Sequence, residues 1–291
     1  MTVSLILDAI QLGLVFAVLS LGEFITVNIM DSPDLTVDGA FVTGAAVCAM
    51  MTLAGMPNLG LLASMIAGAL CGCVTAFLQT KMKIQPLLAG ILTMTALYSI
   101  NLRIMKGSPA INLFTGGKPI STILSNTDTR LYVLLAIAVL IIALMAVFFK
   151  TNIGLMLRAS GDNEMMVRSS SINVDNMKFL GLGLSNALVG LSGALLAQYQ
   201  NFADLSGGTG MLVLGLAGII IGEAIFRPKS VTMGLVAAAV GAVLYRLLYS
   251  VALRMGFPAG DMNLVSSVLV AITISIPVIQ KAMKGWKKNH A

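Results

Sequence analysis

Along the chain, apolar runs of about 17 to 25 residues alternate with short joints rich in Pro, Gly, Asp and Lys, without period-two alternation. A run of that length crosses roughly 30 Å of hydrocarbon as a helix, which satisfies its own backbone groups where no water can. The pattern predicts an all-α, polytopic transmembrane helical bundle of about nine spans: 5–29, 38–56, 58–80, 84–105, 130–149, 178–200, 210–226, 231–250 and 262–281. Breakers mark the joints at Asp31-Ser32-Pro33-Asp34, Met56-Pro57-Asn58, Arg227-Pro228 and Gly256-Phe257-Pro258. The first run is too long for the apolar region of a cleavable signal and lacks a basic start, so it reads as a retained span. All 291 residues are expected to form one transmembrane domain, with a polar loop at 151–177.

Composition agrees with the pattern: 57% apolar and 10% charged residues, with mean hydropathy +0.94, exclude an ordinary soluble domain. Cys48, Cys71 and Cys73 lie inside apolar runs without metal-ligand spacing, and read as buried thiols. The lone histidine, His290, sits in a polar tail and offers no catalytic base. With no nucleophile, base and orienting group in any span, an enzyme is a poor reading.

The placement of the basic residues sets the orientation. Sorted by alternate joints, Lys81, Lys83, Lys150, Arg158, Arg168, Lys178, Arg227, Lys229, Lys281, Lys284, Lys287 and Lys288 fall on one side. Arg103, Lys106, Lys118, Arg130 and Arg254 fall on the other, and Arg246 stays inside the eighth span. The richer side is expected to be cytoplasmic, which puts the C-terminal tail inside and the N-terminus outside if nine spans is the right count. The long segment from Lys106 to Arg130 then faces outward, as a surface for an outside partner or as a solvated connection.

The polar stretch RASGDNEMMVRSSSINVDNMKFLG, residues 158–181, belongs to the cytoplasmic side. A short helix with Asp162 or Ser160 as its N-cap is the simplest reading, followed by a break and a second start capped by Asn173 or Asp175. Met165, Met166 and Val167 ride on the short helix beside Asn163, Glu164 and Arg168. Exposed methionines there suit a docking surface, because apolar groups gain by burial and Met packs adaptably; packing on the protein's own spans is the alternative.

These residues carry a resemblance. Arg158, Gly161, Asp162, Asn163, Arg168, Ile172, Asn173, Val174 and Lys178, then Leu184-Ser185-Asn186 and the stretch Gly190 to Ala197, resemble the permease subunits of ATP-binding-cassette importers of the branched-chain amino acid and ribose type. Asp34-Leu35-Thr36-Val37-Asp38-Gly39-Ala40 is similar to that family's D-L-S-V-G segment, with Asp38 inserted and Thr36 for Ser. The resemblance implies a type II importer-like permease fold and a homodimer of permeases in the cell's inner membrane. It also implies an external solute-binding protein and a separate ATPase subunit, which alone would bind ATP and Mg. The polar loop would be a coupling helix entering a cleft of that ATPase, through Arg158, Gly161, Asp162, Asn163, Glu164, Met165, Met166 and Arg168. The general look is that of permeases for tryptophan- or tyrosine-like solutes. Because the chain lacks a G-x-x-x-x-G-K-[ST] phosphate loop, it is not itself expected to be the ATPase. No cofactor, metal or nucleic-acid partner is expected of it.

Charged and polar residues inside spans are candidate pathway groups. Glu23 shares a helix face with Ser20 and Thr26, and could meet a solute cation, pair with Arg246, or sit near the interface. Asp31, Asp34 and Asp38 occupy a break that either lines a cavity or is an ordinary turn. Thr93, Thr95, Tyr98, Ser99 and Asn101 make the fourth span polar, and Asn186 with Gln198 marks the sixth. Gly183, Gly190 and Gly193, with Ser185, Ser192 and Ala197, read as close-packing faces. Glu223 and Arg227, four apart, read as a pair at the cytoplasmic rim. The pathway set is therefore Glu23, Asp34, Thr95, Tyr98, Asn101 and Asn186. A competing reading is an ion-coupled carrier acting alone, with Glu23 and Asp34 as its carboxylates. Such a carrier needs no docking loop, and usually shows internal repeats that are not evident here.

Overall fold

The computed structural model describes residues 3–254 except 116, 117, 121 and 171, with a few single positions beyond Arg254. The described chain is nearly all helical. Helices α1 (Val3–Phe24), α2 (Val37–Leu53), α3 (Pro57–Thr80), α4 (Pro86–Ile104) and α5 (Thr127–Phe148) precede the polar loop. The loop itself contains α6 (Asn152–Asp162) and α7 (Glu164–Ser169), and α8 (Val174–Gln200), α9 (Met211–Phe226) and α10 (Val231–Arg254) follow.

Seven helical segments of the described residues are long and apolar enough to cross a membrane. The expected second span is α2, shorter at 17 residues. At 1.5 Å per residue such a helix falls short of roughly 30 Å of hydrocarbon. It is short because it starts inside the bundle, after a segment in which Asp34, Thr36 and Val37 are already buried. The expected span at 262–281 lies outside the described residues.

Helix α8 is the central post. Some 83% of its most apolar window is buried, against 22% for the peripheral α5. Helices α2 and α3 lie so close to it that a Cβ at Gly44 or Gly68 would overlap the backbone of Gly190 or Asn186. Serines bond across the same contacts. Ser185 donates to the Gly22 carbonyl at 2.8 Å and Ser192 to that of Val15 at 2.8 Å, joining α8 to α1. In lipid, where apolar burial gives helices little reason to associate, close backbones and such bonds hold the bundle together.

Between α1 and α2 the chain forms a π-helical turn, Ile25–Ile29. At the end of the bundle away from α6 and α7, β1 (Ala110–Asn112) pairs antiparallel with β4 (Phe202–Asp204), with Ala110 opposite Asp204. A hairpin of β2 (Phe114–Thr115) and β3 (Lys118–Pro119) lies beside it in sequence.

Candidate functional site: the polar loop and the buried polar groups

The loop folds as two helices broken at Asn163, whose extended backbone (φ −156°, ψ 98°) cannot continue a helix. Asn163 is the N-cap of α7, its side chain accepting from the Met166 amide at 3.0 Å. This corrects the expectation of Asp162 or Ser160 as the cap: Asp162 ends α6 and Ser160 lies within it. Asn173 caps α8 as one of the two expected candidates, accepting from the Asp175 and Asn176 amides.

Ion pairs pin α7 to the start of α8. Glu164 accepts from Lys178 at 2.9 Å and from Arg168 at 3.0 Å, while Arg168 stands 3.6 Å from Asp175. Lys81, at the end of α3, joins Asp175 at 3.7 Å. The Lys178 ammonium is the main cause that holds the Glu164 carboxyl below its ordinary value, with Arg168 adding to it. Val167 is buried, whereas Met165 and Met166 are 83% and 68% exposed. Glu164 and Arg168, expected to face a partner, thus also anchor the helix that carries the methionines.

On the other side of the loop, Arg158 and Asp162 line a cavity of about 250 Å³ with Asn28, Ile29, Glu223 and Lys229. Gly161 lies against the Ile29 carbonyl so closely that a Cβ there would collide with it. One residue earlier in the π-helical turn, the Asn28 amide donates to the Glu223 carboxylate at the end of α9. The turn therefore joins the loop to both α1 and α9. Nothing local in the sequence announces this joint, although π-helical insertions do favour functional sites.

Deeper in the bundle the expected polar residues divide into three groups. Asp34 is fully buried, not in a surface turn, and its carboxylate accepts from the Thr36 amide at 2.9 Å and from Asn186 at 2.7 Å. Next to it the hydroxyls of Thr36, Thr75 and Thr93 form a chain, with separations of 2.7 Å and 3.0 Å. Asn101 accepts from the Thr43 hydroxyl at 2.8 Å and donates to the Gly39 carbonyl at 3.2 Å, tying α4 to α2. It also lines a cavity of about 310 Å³ with Asp38, Thr95, Tyr98 and Thr209, into whose open side Thr95 and Tyr98 are exposed.

Glu23 stands apart. It is fully buried, packs against Gly215 of α9, and neither carboxyl oxygen has a hydrogen-bond partner among the described residues. It does not pair with Arg246, whose guanidinium lies over the rings of Phe16 and Tyr249 instead.

Asp38, an apparent insertion in the sequence, caps α9 from a distance: it accepts from the amides of Gly210 at 3.1 Å and Leu212 at 2.9 Å. Helices α2 and α9 therefore both begin inside the bundle and meet at one carboxylate. Helix ends at membrane depth expose backbone groups, which only protein or a wet cavity can satisfy. Here Asp38 satisfies two amides beside the cavity lined by Thr95 and Tyr98.

Comparison with known proteins identifies the family. The chain belongs to the branched-chain amino acid transport system / permease component family, the ABC-importer permeases, whose pattern matches residues 5–276. It is 36% identical over 266 residues to the tyrosine transport system permease protein of Clostridioides difficile, covering 91% of this chain and 88% of that one. Over 232 residues it is 23% identical to the ribose import permease protein RbsC of Escherichia coli, covering 76% and 70%. The fold is similar to that of the solved PsaBC from Streptococcus pneumoniae in complex with Fab (TM-score 0.57, 14% identity, covering 92% and 89% of the two chains).

Proposed function

We propose that the chain imports an amino acid, of the tyrosine-like class, as one half of a homodimer, and that α6 and α7 are the element on which a separate ATPase docks. The observation that carries the docking is the pair of exposed methionines on a helix held rigidly to α8 by ion pairs. Two apolar side chains displayed on an anchored polar loop gain by burial in a partner, and a rigid helix transmits force where a free loop would not. Gly161 against Ile29, and Asn28 on Glu223, give that force a route into α1 and α9.

In this reading the loop and the C-terminal tail face the cytoplasm, and the chain crosses nine times, counting α2 and 262–281. The far end, with β1 and β4, receives an external solute-binding protein. The second permease covers the exposed face of α4, whose Thr95 and Tyr98 suit a solute pathway better than lipid. Asp34, Asn101 and Asn186 stand behind that face as pathway-shaping groups, with Glu23 further in, against α9. ATP and Mg reside on the ATPase, not on this chain. The 36%-identical tyrosine transport system permease protein supports the solute class.

The test is uptake of labelled tyrosine into proteoliposomes holding the permease, its ATPase and the binding protein. Uptake that needs all three and ATP is expected. Uptake by the permease alone, driven by an ion gradient, would overturn the reading in favour of a lone carrier.

A further inference from the structure

A cavity of about 530 Å³ opens among α1, α8, β4, α9 and α10, in the half of the bundle away from α6 and α7. Among its lining residues are Arg246, Phe16, Tyr245, Tyr249, Gln200 and Asp204. The pathway residues Glu23, Asp34 and Asn186 are not among them.

Arg246 is the unusual member. Guanidinium groups inside a membrane span are costly and are kept for a reason. The Arg246 guanidinium carbon lies 4.4 Å from the centre of the Tyr249 ring and 5.6 Å from that of Phe16. Such stacking stabilises the cation through its flat faces and leaves the in-plane N–H donors free. No carboxylate among the described residues lies within ion-pair distance of Arg246. The nearby N-terminus of α9, the other anion-seeking group at this cavity, is already occupied by Asp38.

Asp204 faces the same space from β4, and its Oδ2 accepts from the Ser206 hydroxyl at 2.8 Å. A carboxylate bound to one hydroxyl keeps acceptor capacity for an ammonium. The cavity therefore presents a forked cation donor, an acidic acceptor and two part-exposed aromatic rings, Phe202 of β4 and Tyr249 of α10. Its volume lies within the range of about 300–1,000 Å³ usual for small-ligand pockets.

We propose that this cavity is a solute site in the permease itself, taking an aromatic amino acid as its zwitterion: the carboxylate on the Arg246 fork, the ring against Phe202 and Tyr249, and the ammonium on Asp204. The proposal rests on the amino-acid reading above and deepens it, by giving the permease its own selectivity beside that of an external binding protein.

The experiment uses the full-length permease with its ATPase in lipid nanodiscs, and measures binding of labelled L-tyrosine with competition by tyramine, 3-(4-hydroxyphenyl)propanoate and ribose. Tyramine, lacking the carboxylate, and the propanoate, lacking the ammonium, should each compete less well than tyrosine, and ribose should not compete. Arg246→Lys keeps the charge and loses the planar fork, so it should weaken tyrosine at least about tenfold. Asp204→Asn should abolish the preference for tyrosine over the propanoate while leaving Arg246 in place. Monodisperse elution and retained ATPase confirm each variant's fold. If Arg246→Lys does not assemble, Asp204→Asn alone decides by its competition pattern.

Wild-type affinity and selectivity in these variants, in a complex that still imports tyrosine, overturns this site and leaves the proposed function standing. A wild-type complex that neither binds nor imports any aromatic amino acid overturns both.

Discussion

Gly161 of the polar loop rests on the main-chain carbonyl of Ile29, the last residue of the π-helical turn that ends the first transmembrane segment. A hydrogen is the only side chain that fits. The loop is thereby in direct backbone contact with the element that also carries Glu23 and, through Asn28, reaches the end of α9.

Gly161→Ala should therefore separate docking from coupling. The added methyl must push α6 away from Ile29, an overpacking cost of about 1–3 kcal/mol. The variant is expected to bind the ATPase normally and to hydrolyse ATP with less uptake per ATP. Transport and hydrolysis measured side by side in proteoliposomes check this. An unchanged ratio removes the joint from the mechanism.

Asp38→Ala strips both amides at the start of α9 of their acceptor, and loss of such a cap costs about 0.5–2 kcal/mol. Hydrogen exchange should accelerate at 210–214 while the interior of α8 stays protected. Asp38→Asn, which keeps an acceptor oxygen, should restore most of the protection. Equal exchange in Asp38→Ala and wild type would mean that the amides of Gly210 and Leu212 are held by something else.

These two cases mark what the sequence could and could not convey. Hydropathy located the long helices because each obeys a local rule: enough consecutive apolar residues to cross the bilayer. Polarity alone singled out 158–181, and the side chain of Asn173 announced the start of α8 because capping acts over two or three residues. Asp38, by contrast, meets α9 across 172 residues, and no local pattern encodes that partner. The short α2 has the hydropathy of a full span because hydropathy records how apolar a run is, not the depth at which it begins. Arg246 was visible as a charge inside a span, but its stacking on Phe16 and Tyr249 joins two helices far apart in sequence.

Asn186 is the side-chain donor to the buried Asp34 carboxylate, at 2.7 Å. Asn186→Leu should leave that buried carboxyl group one bond short, at a cost of about 1–3 kcal/mol for a buried polar group left unsatisfied. A lowered unfolding midpoint in detergent is expected. Asp34→Ala in the Asn186→Leu background should recover part of the loss, since the unsatisfied carboxyl group is gone. No recovery would mean that the loss arises from packing against Gly72, not from the unsatisfied carboxyl group.

The Glu164–Lys178 contact predicts a pH signature. Lys178, and after it Arg168, holds the Glu164 carboxyl below its ordinary value of about 4.3, so the charged form is favoured in the folded loop. The stabilisation is complete above the ordinary value and is lost as pH falls through the depressed one. The chain has three glutamates, Glu23, Glu164 and Glu223, so a carboxyl-labelled sample gives few signals to assign. The Glu164 signal should titrate below the usual glutamate range, and Lys178→Gln should move its midpoint upward. A midpoint that ignores Lys178→Gln would show the contact to be absent in solution.

Met165 and Met166 carry the strongest prediction about the partner. Their exposure of 83% and 68% on a helix whose ion pairs face the protein leaves them free to be covered by another chain. Replacing both by Asp puts two charges where an apolar anchor is needed, without touching Glu164, Arg168 or the buried Val167. Each anchor contributes on the order of 2 kcal/mol, so the double change should weaken ATPase binding roughly a thousandfold. The permease should still fold and insert, since neither methionine contributes to the buried core. Co-purification of the ATPase and solute-stimulated ATP hydrolysis are the readouts, with the permease's elution profile as the fold control. Normal assembly and normal stimulation in Met165→Asp/Met166→Asp would place the docking surface elsewhere and return the lone-carrier reading to contention, because nothing else on α7 offers an apolar contact of comparable size.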